Sequence, residues 1–482
     1  MGASEADLVV VGAGAAGLFT ALCAARAGAK VTLIAATPLA QTASYWAQGG
    51  LAAAVAADDS PERHREDTER AGRGLVRPSA AQVLCEEAPE RVHDLEALGV
   101  RFDSDRAGRL SLGLEGGHSA RRVVHAGGSA TGRRVVRQLS AVVAEDARIA
   151  VLEHARASEL LLADERCVGL RCEDGREVHA RATLLSAGGA AALWSRTTNP
   201  PGSLGTGMAL AHAAGAALAD LEFMQFHPTA VIGIRGREGF LVTEAIRGEG
   251  ATLHDAGGAR FVEELAPRDE VARAIWLRLR ETGATSVGLD MRAVDPARFP
   301  NVFAALREAG LDATRELVPV APASHYVMGG VVTDLHGHSS VPSLYAVGET
   351  ACTGLHGGNR LASNSLSECF VFGRRAALAA LDEPAATASN AAVQAAAPHS
   401  LPLKSTKAAL WTHAGIERSP EGLRELLRDE HPLARLIARC ALAREESRGA
   451  HQRTDFPTPR EDLDRMHAVV RGEAEPVFER WD

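Results

Sequence analysis

A short apolar run from Asp7 to Val11 ends in Gly12-Ala13-Gly14-Ala15-Ala16-Gly17, and an Ala-rich stretch from Leu18 to Ala27 follows it up to Gly28. No other feature restricts the fold as much. In a GxGxxG turn between a strand and a helix, the first glycine permits the tight turn and the second lets backbone approach a pyrophosphate. The third lets the helix pack on the strand, and the helix N-terminus favours phosphate charge. Lys30 to Ile34 reads as the next strand, so the chain opens on a βαβ dinucleotide unit. The acid that usually ends the second strand and holds the adenosine ribose is missing, because Ile34 is followed by Ala35-Ala36-Thr37. NAD is therefore disfavoured as the principal cofactor.

At 482 residues the chain exceeds one ordinary core and suggests two or three units. Hydrophobic residues make up 46% and aromatics 4%, so Ala, Val and Leu supply the packing, as in an α/β protein rich in helices. Strand–helix pieces continue to about residue 220. From Leu221 to about Pro322 the pieces become shorter and more polar, with helices expected near Asp269 to Glu281 and Pro300 to Ala309. Val341 to Glu349 is again a buried-strand pattern, and the helix after Ser365 returns to the first unit. The expected division is an FAD-binding domain over 1–220 and 326–382, a capping domain over 221–325, a linker over 383–402 rich in Ala, Ser, Thr and Pro, and a helical domain over 403–482. In that last part Leu433, Leu436, Ile437, Cys440 and Ala441 fall on one helical face.

The choice of FAD rests on two later segments. Ala182-Thr183-Leu184-Leu185-Ser186-Ala187-Gly188-Gly189 is a strand closing on a Gly pair, and Ser343-Leu344-Tyr345-Ala346-Val347-Gly348-Glu349 is a strand delivering a carboxylate. In this order, after the Gly-rich turn, both resemble recurring elements of flavoproteins with two dinucleotide-binding units, where the final acid accepts hydrogen bonds from ribityl or ribose hydroxyls.

A set of longer motifs carries a family resemblance. Thr42-Ala43-Ser44-Tyr45-Trp46-Ala47-Gln48-Gly49-Gly50, Glu222-Phe223-Met224-Gln225-Phe226-His227-Pro228-Thr229, Thr243-Glu244-Ala245-Ile246-Arg247-Gly248-Glu249-Gly250, Leu265-Ala266-Pro267-Arg268-Asp269 and Gly357-Gly358-Asn359-Arg360-Leu361-Ala362-Ser363-Asn364-Ser365-Leu366 together resemble the succinate dehydrogenase/fumarate reductase flavoproteins. Within that group, Glu115-Gly116-Gly117-His118-Ser119 and Pro322-Ala323-Ser324-His325-Tyr326 resemble the L-aspartate oxidases. The resemblance runs from residue 7 to about 382 and resumes at Glu445 to His451. It implies a Rossmann-like α/β FAD-binding domain with an inserted α+β capping domain and a C-terminal helical domain. It also implies FAD contacts at Gly12, Gly14, Ala15, Ala16, Gly17, Ala36, Ala43, Ser44, Gln48, Gly49, Gly50, Gly188, Thr206, Glu349, Ser365 and Leu366. Subunits of membrane-bound succinate dehydrogenases and fumarate reductases generally carry a His, bonded to FAD, where this chain has Ala43, so FAD is expected to be non-covalent.

A four-carbon dicarboxylate in a water-poor pocket needs cationic and hydrogen-bonding partners at both ends, and planar Arg forks serve best. By resemblance the substrate contacts are Arg360, His227, His325, Thr243 and Glu115, and the catalytic groups are Arg268, Glu244 and His227. The plain alternatives are core histidines, a solvated Arg268 beside a helix that Asp269 caps, and an exposed Glu115 ahead of a Gly-Gly loop. A guanidinium scarcely deprotonates, so Glu244 is the expected partner of Arg268 in a proton relay. Glu115 matters for substrate choice, because an α-ammonium wants an anion and succinate would gain nothing from it. The implied reaction is oxidation of L-aspartate to iminoaspartate, reoxidation by oxygen or fumarate, and hand-off to quinolinate synthase for NAD biosynthesis. The rivals are a succinate dehydrogenase or fumarate reductase subunit and a flavin-holding scaffold without turnover.

The chain departs from the family at Thr206, where an Asp is usual, in the short Phe261-Val262-Glu263-Glu264 loop before Arg268, and in its trimmed C-terminal helices. The net charge of -9 gives no footprint for nucleic acid. Seven cysteines without a CxxC pair fit reduced thiols and no metal site, and no run approaches the roughly 18 apolar residues of a spanning helix. With no basic start to the N-terminus, the expected compartment is the cytoplasm.

Overall fold

The computed structural model describes residues 4–39, 42–384, 393–396 and 401–482. At its centre the strand Ser4–Val11 lies between two parallel neighbours, Val31–Ala35 and Glu177–Leu185, and Leu344–Ala346 adds a further parallel strand to the latter. Leu8, Val9 and Val10 are fully buried, as expected of a parallel strand covered on both faces. Leu8 and Val10 face Leu18, Phe19 and Leu22 of the helix Ala15–Arg26 together with Phe370 of the helix Asn364–Leu381, and Phe19 meets Phe370 edge-on at 5.2 Å. Val9 and Val11 join the opposite core with Leu185 and Trp194. The helix approaches so closely at Gly17 that a Cβ there would stand 1.8 Å from the carbonyl oxygen of Gly12, itself at φ +107°. Both positions require glycine.

The capping unit is a four-stranded antiparallel sheet in the order Met224–Val231, Val318–Val327, Val287–Asp290, Thr252–His254. Its own core gathers Ile246, Val271, Ile275, Leu289 and Phe303. The expected helices are present as Arg268–Thr282 and Pro300–Glu308. One detail is corrected. Pro267 is the N-cap and Arg268 the first helical residue, so Asp269 lies inside the first turn and is not the cap; its carboxylate pairs with Arg73 at 3.0 Å.

The C-terminal part is helical over Lys404–His413, Pro420–Leu426 and Pro432–Ala443, and its apolar face Leu433, Leu436, Ile437, Cys440 and Ala441 is buried against the main body. It then ends in a hairpin, Met466–Val470 with Val477–Arg480, which completes a sheet begun by Leu218–Ala219 and Gly330–Val332. Of the expected linker, 385–392 and 397–400 lie outside the described residues, while Gln394–Ala395 pairs with Leu161–Leu162 at the edge of the large sheet. Among the described residues no helix is long and apolar enough to cross a membrane.

Candidate active site

The Gly-rich turn opens at the carboxyl end of the central strand, where doubly wound sheets bind ligands. The hydroxyl of Ser44 accepts a hydrogen bond from the Ala15 amide at 3.1 Å, and a Cβ on Gly14 would lie 3.2 Å from it. Gly348 approaches the Ala16 methyl. Gly188, at φ +80°, has nothing within 4 Å of where a Cβ would be, and its carbonyl accepts from Thr350 at 3.1 Å. One oxygen of Glu349 accepts from the Val327 amide at 3.0 Å, and burial pushes its carboxyl up to about 8. Thr206 opens the helix Thr206–Ala213 behind Gly205.

At the other end of this path the Gly50 amide donates to the Ser363 hydroxyl at 3.2 Å, close to Gly49, Ser365 and Leu366. The Gln48 amide nitrogen crosses to the capping unit and donates to the Leu241 carbonyl at 2.7 Å, leaving its side-chain oxygen buried without a partner. Ala36 and Ala43 are exposed at the rim. An open glycine cradle, hydroxyls on its wall and the orphaned Gln48 oxygen fit an FAD lying from Gly14 to Gly50. Ala43 offers no side-chain nitrogen for a covalent bond.

Beyond Gly50 the capping unit and the body bring charged groups together. Arg268 donates from Nε to Glu244 at 2.5 Å and from Nη1 to the side-chain oxygen of Gln225 at 3.2 Å. Arg360 reaches the same Gln225 oxygen from the body at 3.0 Å and donates to the Ser365 hydroxyl at 3.2 Å, its guanidinium stacked over the Tyr326 ring at 4.5 Å. Burial and the nearby Arg268 lower Arg360 to about 10, which leaves it charged at neutral pH. Burial pushes Glu244 up, yet Arg268 and Arg247 outweigh it and hold the carboxyl below its ordinary value. The other Glu244 oxygen accepts the Gly116 amide at 3.1 Å and faces Arg247 at 3.4 Å.

His227 lies in the same wall. Its Nδ1 accepts the Thr229 amide at 3.2 Å, so in the neutral ring the proton sits on Nε2, which is buried and has no protein partner. Burial and then Arg268 hold this imidazole well below its usual range, so it stays neutral. His325 stands 5.1 Å from it, ring centre to ring centre, with Nδ1 2.7 Å from the Thr198 hydroxyl. The sheet register explains this placement. Pairing steps from Gln225↔Tyr326 to Phe226↔Ser324, which leaves His325 as the extra residue of a bulge.

Glu115 is buried, not exposed; one oxygen accepts the Ser363 hydroxyl at 2.7 Å and the other has no partner. Thr243 is buried next to Glu244. The structure thus brings Glu115, His227, Thr243, Glu244, Arg268, His325 and Arg360 to one region. Gln225 and Arg247 belong with them but were not singled out from sequence. Gln225 could have been found, since alternation along a strand puts it on the face of His227. Three guanidiniums (Arg247, Arg268, Arg360) against two carboxylates (Glu115, Glu244) leave one net positive charge, which balances the single net negative charge of an amino dicarboxylate.

Known proteins resemble this chain over most of its length. The model described as "FAD binding domain" matches residues 7–366, and that described as "Fumarate reductase flavoprotein C-term" matches residues 427–477. The chain is 45% identical over 480 residues to the L-aspartate oxidase of Caulobacter vibrioides, covering 93% of each chain. It is 41% identical over 534 residues to that of Streptomyces coelicolor, covering 97% of this chain and 92% of the other. Among solved structures, a variant of E. coli quinol fumarate reductase matches with a TM-score of 0.89 at 29% identity, over 99% of this chain and 96% of that one. The flavin cradle, the capped pocket of opposed arginines and these relatives together place the chain in the L-aspartate oxidase family of FAD-binding flavoproteins.

Proposed function

We propose that this pocket oxidises L-aspartate to iminoaspartate, with reoxidation by oxygen or fumarate. The reading is carried by the convergence of Arg268, from the capping unit, and Arg360, from the body, on one amide oxygen beside Glu244. A dicarboxylate bridging the two forks would satisfy both. The neutral His227 offers its Nε2 proton, with His325 beside it and Thr243 next to Glu244, and the free oxygen of Glu115 meets the α-ammonium.

FAD, when bound along the cradle, supplies the hydride acceptor. The chain's own residues orient Cα, exclude water and move protons. Loss of the Cα hydrogen as hydride and of two protons from nitrogen leaves the neutral imine. In the direction of fumarate reduction, Arg268 delivers a proton to the substrate carbon. Glu244, a carboxylate at rest, relays a replacement proton from solvent across its 2.5 Å bond to Arg268, since the guanidinium does not stay deprotonated. Positioning and electrostatics are the protein's share.

Iminoaspartate would pass to quinolinate synthase for NAD biosynthesis, and we place the enzyme in the cytoplasm because its seven cysteines are all free. Anaerobic mixing with L-aspartate is expected to bleach the flavin band within the assay, and succinate to leave it largely unchanged. Bleaching by succinate alone would favour the succinate dehydrogenase reading. Because Ala43 cannot bond to FAD, acid precipitation is expected to release the yellow colour into the supernatant; colour retained in the pellet would contradict non-covalent binding.

A further inference from the structure

The turn that follows the helix Pro61–Ala71 touches both substrate arginines' supports. On the body side the Gly72 carbonyl accepts the Gly358 amide at 3.0 Å and the Ala71 carbonyl accepts the Asn359 side chain at 3.2 Å, which fixes the loop carrying Arg360. On the cap side Arg73 grips the first turn of the helix Arg268–Thr282, with Nε 3.0 Å from Asp269 and Nη2 2.5 Å from Glu270. Arg73 is held in a left-handed conformation, φ 58°, uncommon for a residue with a side chain. The C-terminal part keeps it there. Arg448 donates to the Arg73 carbonyl at 2.7 Å while its own guanidinium is locked onto Glu446 at 2.9 Å, and the Arg465 amide donates to the Gly74 carbonyl at 2.9 Å.

We propose that Arg73 is a positioning residue: its ion pairs with Asp269 and Glu270 hold the helix that begins with Arg268 in register with Arg360, so that the cap closes with the two forks at substrate spacing. The Asp269 side chain is 8% exposed and that of Arg73 29%, so this pair is partly shielded from solvent, while Glu270, at 53%, adds an exposed and more screened contact. Gln225 joins the two forks within the pocket, but its bonds to Arg268 and Arg360 occupy the atoms that meet substrate. Arg73 makes the connection from outside, without touching substrate or flavin.

The inference rests on Arg268 acting as proposed above, and the test separates the two. The measurement is anaerobic flavin reduction of the holoenzyme by L-aspartate, at several substrate concentrations. Arg73→Ala is expected to slow the limiting rate about five-fold, with FAD retained and its spectrum unchanged. Arg73→Lys is expected to recover part of that loss. In an Asp269→Asn/Glu270→Gln background, Arg73→Ala should cost little more, because the same link is already broken. If wild type is not reduced by L-aspartate, the proposed function fails. If wild type is reduced and Arg73→Ala loses less than two-fold, or loses five-fold again in the doubly substituted background, the positioning role fails alone. Should Arg73→Ala not fold, Arg73→Lys and the Asp269→Asn/Glu270→Gln protein decide: normal rates in both would overturn it.

Discussion

Arg268→Leu is expected to keep its FAD and lose turnover by about 10²–10⁴-fold, the range over which a positioned proton donor or acceptor contributes. The fold should survive the change. Arg268 is the first residue of its helix and Pro267, not Arg268, is the cap, so a leucine there removes no backbone hydrogen bond. Glu244 would not be stranded as a lone buried charge, since it keeps the Gly116 amide at 3.1 Å and Arg247 at 3.4 Å. What disappears is the fork that meets substrate and the 2.5 Å link through which a proton would return. Arg268→Lys should recover little, because an ammonium cannot make the bidentate geometry. The check is steady-state fumarate reduction, where Arg268 delivers the proton, with L-aspartate oxidation alongside and flavin absorbance per protein. A variant with near-normal kcat would return Arg268 to a charge beside a helix start.

Local order was the most legible part of this chain. The βαβ opening was readable because each glycine of Gly12 to Gly17 answers a steric demand met within a few residues, and the helices at 268–282 and 300–308 because their apolar spacing is local. The pocket residues could be named only through long motifs, since nothing in the spacing of Glu115, Glu244, Arg268 and Arg360 says that they meet. Partners set by chain crossings were not legible. Nothing in the sequence around Arg247 or Arg73 names their partners: Arg247 is fully enclosed beside Glu244, and Arg73 spans 196 residues to reach Asp269. His325 reaches His227 only because a bulge turns it, and a bulge has no reliable signature in one strand alone. The terminal hairpin was missed for a similar reason. Met466–Val470 is short and earns its place by pairing with Leu218–Ala219, far away in the chain.

Glu115→Gln is expected to weaken kcat/KM for L-aspartate by roughly ten-fold or more, while fumarate reduction survives or improves. The substitution is nearly isosteric, and the Ser363 hydroxyl that now donates to Glu115 at 2.7 Å can donate to the amide oxygen instead. Pocket shape is therefore kept and charge alone is removed. The free Glu115 oxygen is buried, so its attraction for an α-ammonium acts in a desolvated setting, where truncating one partner of a charge pair costs about 2–5 kcal/mol, compared with about 0–1 kcal/mol at a surface. Each ten-fold in rate corresponds to about 1.4 kcal/mol, so even the lower figure exceeds ten-fold. Fumarate brings two carboxylates and no ammonium. For that substrate Glu115 is neutral or repulsive, and its removal raises the net positive charge that Arg247, Arg268 and Arg360 present. The two activities are measured on one preparation, with reduced flavin regenerated chemically for the fumarate direction. Equal losses in both directions would mean that Glu115 shapes the pocket without reading the amino group, and unchanged rates in both would remove it from the site.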